Sequence, residues 1–255
     1  MKVQYLGDKN DYRKFSLLRL LAREGAFRIG VCWMLTEDDG GKDGGLRSFL
    51  DEPALGEDFD PELFALLKTV PSRPSLPDLQ RVEREGVVPE ARYFEELTPR
   101  GRDERAAFHA RCMQAFVGAD LVFFDPDNGL EVRSCPKGCK KSNKYVYYDE
   151  IREHYVAGRS ALTYQHYPRK PREQFRQETA DRLAEVLPRA EVWSFATPHV
   201  VFLLTVRPEH QAKSRTAAAA VNRSWPPSFM WAERRDHAGG DGRKGSPARH
   251  DGNPG

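Results

Sequence analysis

The stretch Leu121-Val122-Phe123-Phe124-Asp125-Pro126-Asp127-Asn128-Gly129 decides the fold. Its four apolar residues have the length of a strand that is buried on both faces of a parallel sheet. Pro126 fixes one backbone dihedral angle and Gly129 permits a tight turn, so the chain leaves the sheet abruptly. Because ligands of parallel sheets lie outside the carboxyl ends of the strands, Asp125 is a candidate active-site residue. An ordinary turn that ends a strand is the alternative.

Predicted helices and strands alternate on both sides of this stretch. The strands cover 27–35, 93–97, 119–125, 160–165, 191–196 and 199–206, and the helices cover 11–24 (with Asp11 as its N-cap), 61–68, 78–85, 102–117, 149–156 and 172–187. Only Thr197-Pro198 separates the last two strands, which must therefore form an antiparallel hairpin. The pattern predicts an α/β fold with a Rossmann-like, mainly parallel sheet, helices on both faces and a C-terminal antiparallel hairpin.

Composition divides the chain into two parts. Residues 1–208 are predicted to form a single α/β domain, and 209–255 a largely disordered tail that is rich in Ala, Arg, Gly and Pro. Such a tail buries too little apolar surface to offset the entropy that ordering costs. The segment 225–231, which contains two Trp with Phe229 and Met230, is the part that could dock on the domain.

The bulk properties exclude some classes of protein. The 255 residues carry a formal net charge of +2, with 40 basic against 38 acidic residues, so a local basic patch is allowed but a strongly basic surface is not. No apolar run is long enough for a membrane helix, and the start is too polar for a signal peptide. The cysteines make no disulfide framework and no zinc site with matching spacing, so we expect a reduced cytoplasmic protein without a metal. They are Cys32, Cys112, Cys135 and Cys139.

Polar side chains follow two neighbouring predicted strands. Asp125 ends one strand, and Gln165 and His166 end the next, so a parallel sheet places them on one edge. A lysine run interleaved with tyrosines, which ends near Lys144, could contact phosphates and stack on bases, or be an exposed loop. Nucleic acid is therefore a candidate partner. The predicted catalytic residues are Asp125, Asn128 and His166, and the predicted substrate-binding residues are Asp127, Lys144 and Gln165.

Two further segments are candidates for binding a ligand. The polar segment 5–14 has a glycine just before a helix, and the amides at a helix start attract anions. The loop 36–45 follows the first strand and combines carboxylates with glycines that allow a ligand to approach closely. A solvated helix start and a flexible loop are the alternatives. The candidate residues are Gly7, Asp8, Lys9, Lys14, Glu37 and Asp38.

The order of elements from 119 to 206 resembles the second half of class I S-adenosylmethionine-dependent methyltransferases, in which an Asp/Asn-Pro-Pro-aromatic motif ends the fourth strand. The start of the chain is similar to bacterial 23S rRNA adenine methyltransferases. The segments 5–9, 125–129 and 164–166 together also resemble a family of bacterial proteins of uncharacterised activity. The resemblance implies a methyltransferase-type sheet, and S-adenosylmethionine as a cofactor held by the candidates of the two N-terminal segments. The residues similar to the rRNA enzymes are Gly7, Asp8, Asp11, Lys14, Leu17 and Leu18.

The motif departs from that family at two positions. Asp127 and Asn128 stand where the amino-methylating enzymes have Pro and an aromatic residue that stacks on the target base. The carboxylates allow a second hypothesis, in which Asp125, Asp127 and Glu131 bind Mg²⁺ and hydrolyse a phosphodiester. His166 or Lys144 would assist that reaction. A non-catalytic protein on the same scaffold is the third hypothesis.

Overall fold

A computed structural model describes residues 1–38, 47–51 and 59–235. The strands are β1 (Ile29–Cys32), β2 (Arg92–Phe94), β3 (Leu121–Phe124), β4 (Gly129–Leu130), β5 (Tyr145–Val146), β6 (Ser160–His166), β7 (Glu191–Ala196), β8 (Val200–Val206) and β9 (Trp231–Arg235). The helices are α1 (Lys9–Arg23), α2 (Pro61–Lys68), α3 (Leu76–Arg84), α4 (Arg102–Ala115), α5 (Tyr148–Val156), α6 (Arg172–Val186) and α7 (Gln211–Ser224).

One central sheet organises the described residues. Its strand order is β2-β1-β3-β6-β8-β7-β9, and β4 pairs with β5 in a separate short ladder. The first four strands run parallel, β8 runs antiparallel to β6, and β7 runs antiparallel to β8. Five of the seven strands therefore share one direction, while β8 and β9 oppose them. The predicted α/β class, the mainly parallel sheet and the β7–β8 hairpin are confirmed.

Helices cover both faces of the sheet, because alternate strand residues face opposite sides. Along β3, Leu121 and Phe123 pack in one apolar cluster with residues of α1, α2, α3 and α7. Val122 and Phe124 pack in the other cluster with residues of α4, α5 and α6. Burial on both faces explains why β3 is apolar at every position.

The predicted boundary at residue 208 is wrong, because residues up to Arg235 belong to the domain. The segment whose composition suggested disorder forms α7 and β9. Ala217, Ala218 and Val221 of α7 are buried, since small side chains let a helix pack closely. Strand β9 pairs antiparallel with β7 over five residues, which satisfies its backbone groups. Residues 236–255 of the predicted tail lie outside the described residues.

The segment 225–231 docks on the domain, which the sequence left open. The Phe229 ring lies 4.3 Å from the Phe59 ring, 5.7 Å from the Tyr12 ring and 5.1 Å from the Trp225 ring. Phe229 and Met230 are both buried in the cluster that contains α1. Burial of these aromatic rings holds the segment against the domain.

Three local findings correct or complete the predictions. Asp8, not Asp11, caps α1, because its side chain accepts a hydrogen bond from the Asp11 amide. Cys135 and Cys139 form a disulfide, whereas a reduced protein without a disulfide framework was expected. The two cysteines are four residues apart in one loop, so this disulfide does not connect distant parts of the chain. None of the helices in the described ranges combines the length and apolar character that crossing a bilayer requires.

Candidate functional site

A cavity of about 360 Å³ lies at the carboxyl ends of β3 and β6, against the first turns of α1. This is the edge at which ligands of parallel sheets bind, and the volume suits a small molecule. The cavity is lined by Met1, Lys2, Tyr5, Asp8, Asn10, Asp11, Lys14, Asp125, Pro126, Asp127, Asn128, Lys144, Tyr164 and His166.

A buried lysine links α1 to the end of β3. Asp11 and Lys14 lie three residues apart on α1, which places them on one face of the helix. Lys14 Nζ lies 2.6 Å from Asp11 Oδ1 and 2.6 Å from Asp125 Oδ2. Lys14 is 2% exposed and Asp125 is 3% exposed, so water screens these contacts little. Asp125 Oδ1 has no hydrogen-bond partner among the described residues and remains able to accept a bond from a ligand.

Burial and charge set the protonation of this group. Burial raises the pKa of Asp11, against the lowering effect of Lys14. Burial alone would lower the pKa of Lys14, but Asp11 and Asp125 outweigh it and raise that pKa above its usual value. Lys14 therefore stays charged, and its charge is needed to hold two buried carboxylates.

Asp8 extends the acidic wall of the cavity. Its Oδ1 accepts a hydrogen bond of 2.7 Å from the Asp11 amide, and Asp11 Oδ2 accepts one of 2.9 Å from the Gly7 amide. Burial raises the pKa of Asp8 to about 7, and the neighbouring Asp11 charge adds to the increase. Asp8 is thus partly protonated near neutral pH, whereas Gly7 has a backbone role in the turn before α1.

Asp127 lies on the other side of the cavity, beside the loop that follows β1. Its Oδ2 accepts a hydrogen bond of 2.8 Å from Thr36 Oγ1 and lies 3.7 Å from Lys144 Nζ. Its Oδ1 lies 3.2 Å from the Met1 amino nitrogen. The predicted residues Asp127, Asn128 and Lys144 are therefore brought together with Asp125 in one cavity.

His166 and Tyr164 form the wall contributed by β6. The Tyr164 hydroxyl lies 3.3 Å from His166 Nε2, and the rings meet edge to face. Removal of water from part of the His166 ring lowers its pKa, although the charges of Asp125 and Asp127 oppose that effect. The residue is exposed at the cavity mouth. A lowered pKa leaves the imidazole neutral at pH 7, which is the form that accepts a proton.

Gln165, predicted to bind substrate, instead points away from the cavity. Its Oε1 accepts a hydrogen bond of 2.8 Å from the Leu130 amide, and its Nε2 donates to the carbonyls of Asn128 at 3.3 Å and His166 at 2.7 Å. Alternation along β6 puts neighbouring side chains on opposite faces, so Gln165 and His166 cannot both face the ligand. Gln165 holds the turn that presents Asp127 and Asn128.

Replacing Gly129 with Ala should destabilise this turn by about 3–5 kcal/mol, from backbone strain and from buried hydrogen bonds that are lost. Gly129 has φ +112°, and a Cβ there would lie 2.2 Å from Gln165 Oε1. Urea denaturation measures the loss. Gly86→Ala is the control, because Gly86 has φ +76° with open space around it, and should cost only about 1–2 kcal/mol. Equal losses in the two variants would contradict the assigned role of Gln165.

The predicted cofactor residues are divided by the structure. Asp8 and Lys14 line the cavity, whereas Lys9, Glu37 and Asp38 do not. Glu37 is exposed and lies 3.4 Å from Arg100 Nη2 in an ion pair. The glycines of the predicted loop, at 40–45, lie outside the described residues.

The residues proposed as Mg²⁺ ligands are not assembled in one place. Glu131 does not line the cavity, and its charged neighbours are Asp149, Lys137 and Glu150. In the ranges that the structure describes, no group of three or more His, Cys, Asp or Glu side chains could hold a metal ion.

Sequence reasoning missed residues that line the cavity, among them Asp11 and Tyr164, and one residue that supports it, Thr36. Asp11 was assigned to a cap, although its spacing from Lys14 was a usable signal. Thr36 carried no motif, because its contact with Asp127 depends on how the ends of β1 and β3 align. Tyr164 lies two residues before His166 on the same strand, and this alternate spacing was a usable signal for a shared face. Comparison with family models and with curated proteins found no match for this chain.

Proposed function

We propose that the chain is an S-adenosylmethionine-dependent methyltransferase of the class I type, which methylates an amino group of a nucleic-acid base or a small molecule. The strand order carries the proposal. The four parallel strands β2, β1, β3 and β6 are followed in the sheet by the antiparallel strand β8, which lies between β6 and β7. A Rossmann-like sheet that ends in such a hairpin is the methyltransferase arrangement. The cavity lies at the edge where that sheet binds its ligands.

The cavity chemistry fits the proposed cofactor. S-adenosylmethionine carries a positive sulfonium and a positive ammonium group, and it supplies an activated methyl group. Carboxyl groups line the cavity, and an oxygen that the lysines leave open, such as Asp125 Oδ1, would favour such a cation. Tyr164 adds an aromatic ring, which attracts cations through its face.

The acceptor amino group needs a hydrogen-bond acceptor and a route for its proton. Lys14 occupies Asp125 Oδ2, so Asp125 Oδ1 is the atom that would accept a bond from the substrate N–H. His166 lines the same cavity, and its lowered pKa favours the neutral imidazole that could take up the released proton. Asn128 also lines the cavity and would offer its amide where related enzymes place an aromatic ring.

Asp125→Asn tests the proposal. Lys14 should hold the amide oxygen, so the amide NH₂ would face the substrate and replace an acceptor by a donor. We expect S-adenosylmethionine affinity within about threefold of wild type and methyl transfer reduced by about 10²–10³-fold, the usual effect of losing one positioned hydrogen-bond partner. Calorimetry with S-adenosylmethionine measures affinity. Transfer of a labelled methyl group to RNA, DNA and small molecules of a cell extract measures activity.

Asp127→Asn is the matched variant, because Asp127 lines the same cavity but has Thr36 and Lys144 as partners. Its turnover should fall less than that of Asp125→Asn. If wild type binds Mg²⁺ or Mn²⁺ in calorimetry but not S-adenosylmethionine, the methyltransferase proposal is wrong. Equal turnover of wild type and Asp125→Asn would remove Asp125 from the catalytic site.

A further inference from the structure

Four basic side chains from three elements lie within electrostatic range of one another, centred on His199. Lys9 and Arg13 lie on the first turns of α1, Arg172 begins α6, and His199 lies in the turn between β7 and β8. We call these four residues the basic cluster. His199 directly precedes Val200, which pairs with His166 across β8 and β6, so the cluster adjoins the cavity wall. Arg172 and His199 are exposed and Lys9 is half-buried.

The protein offsets the charge of the basic cluster only in part, through Asp8 beside Arg13. Removal of water from part of the His199 ring lowers its pKa, and the charges of Arg13, Arg172 and Lys9 lower it further, with no carboxylate among the causes. His199 therefore takes part at pH 7 as a neutral hydrogen-bonding group. In the part of the chain that the structure describes, Lys9, Arg172 and His199 have no ion-pair partner. Like charges held together raise the free energy unless an anion joins them.

Arg13 gives a second and independent indication. It is 3% exposed, and within the described residues only its Nη2 has a hydrogen bond, of 3.2 Å, to the Ser228 carbonyl. Its Nε and Nη1 are buried without a hydrogen-bond partner. Burial also lowers the pKa of Arg13, and Asp8 only partly compensates. An incompletely satisfied guanidinium is costly to bury, and its charge adds to the positive potential at the cluster.

We propose that the basic cluster binds a phosphate group of a ligand whose remaining part enters the cavity. A phosphate presents several acceptor oxygens to donors that arrive from different directions, which matches side chains from three separate elements. The phosphate belongs either to a free nucleotide or to a nucleic-acid backbone. The site does not depend on methyl transfer, because it requires only the cluster and the adjoining cavity.

The test uses the full chain without S-adenosylmethionine. Calorimetry with sodium phosphate at constant ionic strength should show saturable binding in the millimolar range. Arg172→Gln and His199→Gln should each weaken that binding at least fivefold, and their melting temperatures should match wild type because both side chains are exposed. Arg152→Gln is the control, since Arg152 is an exposed cation on α5 outside the cluster. It should bind phosphate as wild type does.

Two further titrations identify the source of the phosphate. If a nucleoside monophosphate binds as tightly as a single-stranded oligonucleotide, the ligand is a nucleotide. If only the oligonucleotide binds more tightly than inorganic phosphate, the ligand is a nucleic-acid backbone. Absence of saturable phosphate binding, or equal weakening in Arg152→Gln, overturns the proposal. Failure to bind S-adenosylmethionine leaves these outcomes unchanged, so the two proposals fail separately.

Discussion

Replacing Lys14 with Met is expected to lower the free energy of unfolding by about 3–5 kcal/mol, which is the usual cost of removing one partner of a buried ion pair. Met keeps most of the apolar stem, so the change isolates the charge. Without Lys14, the carboxylates of Asp11 and Asp125 lose the contacts of 2.6 Å that they share. Urea denaturation at pH 8 measures the loss.

The pH dependence of the Lys14→Met variant gives a second measurement. Lys14 opposes the effect of burial on Asp11, so without Lys14 the pKa of Asp11 should rise further. Native protein then binds more protons than unfolded protein, and the loss should shrink as the pH falls from 8 to 5. Lys9→Met is the control, because Lys9 lies on the same helix without an ion pair in the described residues. If both variants lose the same stability, the role assigned to Lys14 is wrong.

A chain that ends at His210 is expected to lose cooperative folding, whereas the full chain should melt in one cooperative transition. The shorter chain lacks α7 and β9, and with them the buried side chains of Trp225, Phe229 and Met230. Each such side chain contributes about 1.5–3 kcal/mol. Their sum is comparable with the whole stability of a domain, about 5–15 kcal/mol.

Thermal melting followed by circular dichroism measures both chains. The unpaired edge of β7 should also make the shorter chain prone to aggregate. Phe229→Ala in the full chain is the point control and should cost about 3–5 kcal/mol. If the chain that ends at His210 melts within about 5 °C of the full chain, then the docked segment contributes little.

The sequence predicted most of the fold because its strands and helices differ in apolar pattern. The strand β3 is apolar throughout, and the hairpin is marked by the short Thr197-Pro198 link. The prediction that the chain is disordered from residue 209 failed for a physical reason. Helix α7 buries alanines, which composition alone cannot distinguish from a linker, and β9 carries three charged residues in five. The alanines of α7 favour a helix by themselves and are then buried, whereas β9 is ordered by its pairing with β7.

Only those residues of the candidate site that end predicted strands could be predicted from the sequence. Asp125 and His166 follow from the parallel sheet, and the structure places both in the cavity. Lys14 and Asp125 are 111 residues apart in the sequence, so no local spacing predicts their contact. The orientation of Gln165 depends on the path of the turn at Gly129, and the sequence does not predict this contact between distant residues.

The contact between Tyr12 and Phe229 joins the first helix to a segment made more than two hundred residues later. A ribosome would therefore release α1 long before the aromatic residues that cover it. Contacts between such distant segments slow folding, since the chain must close a long loop before it gains their free energy. During synthesis, the apolar face of α1 that contains Tyr12 is a surface on which chaperones could act.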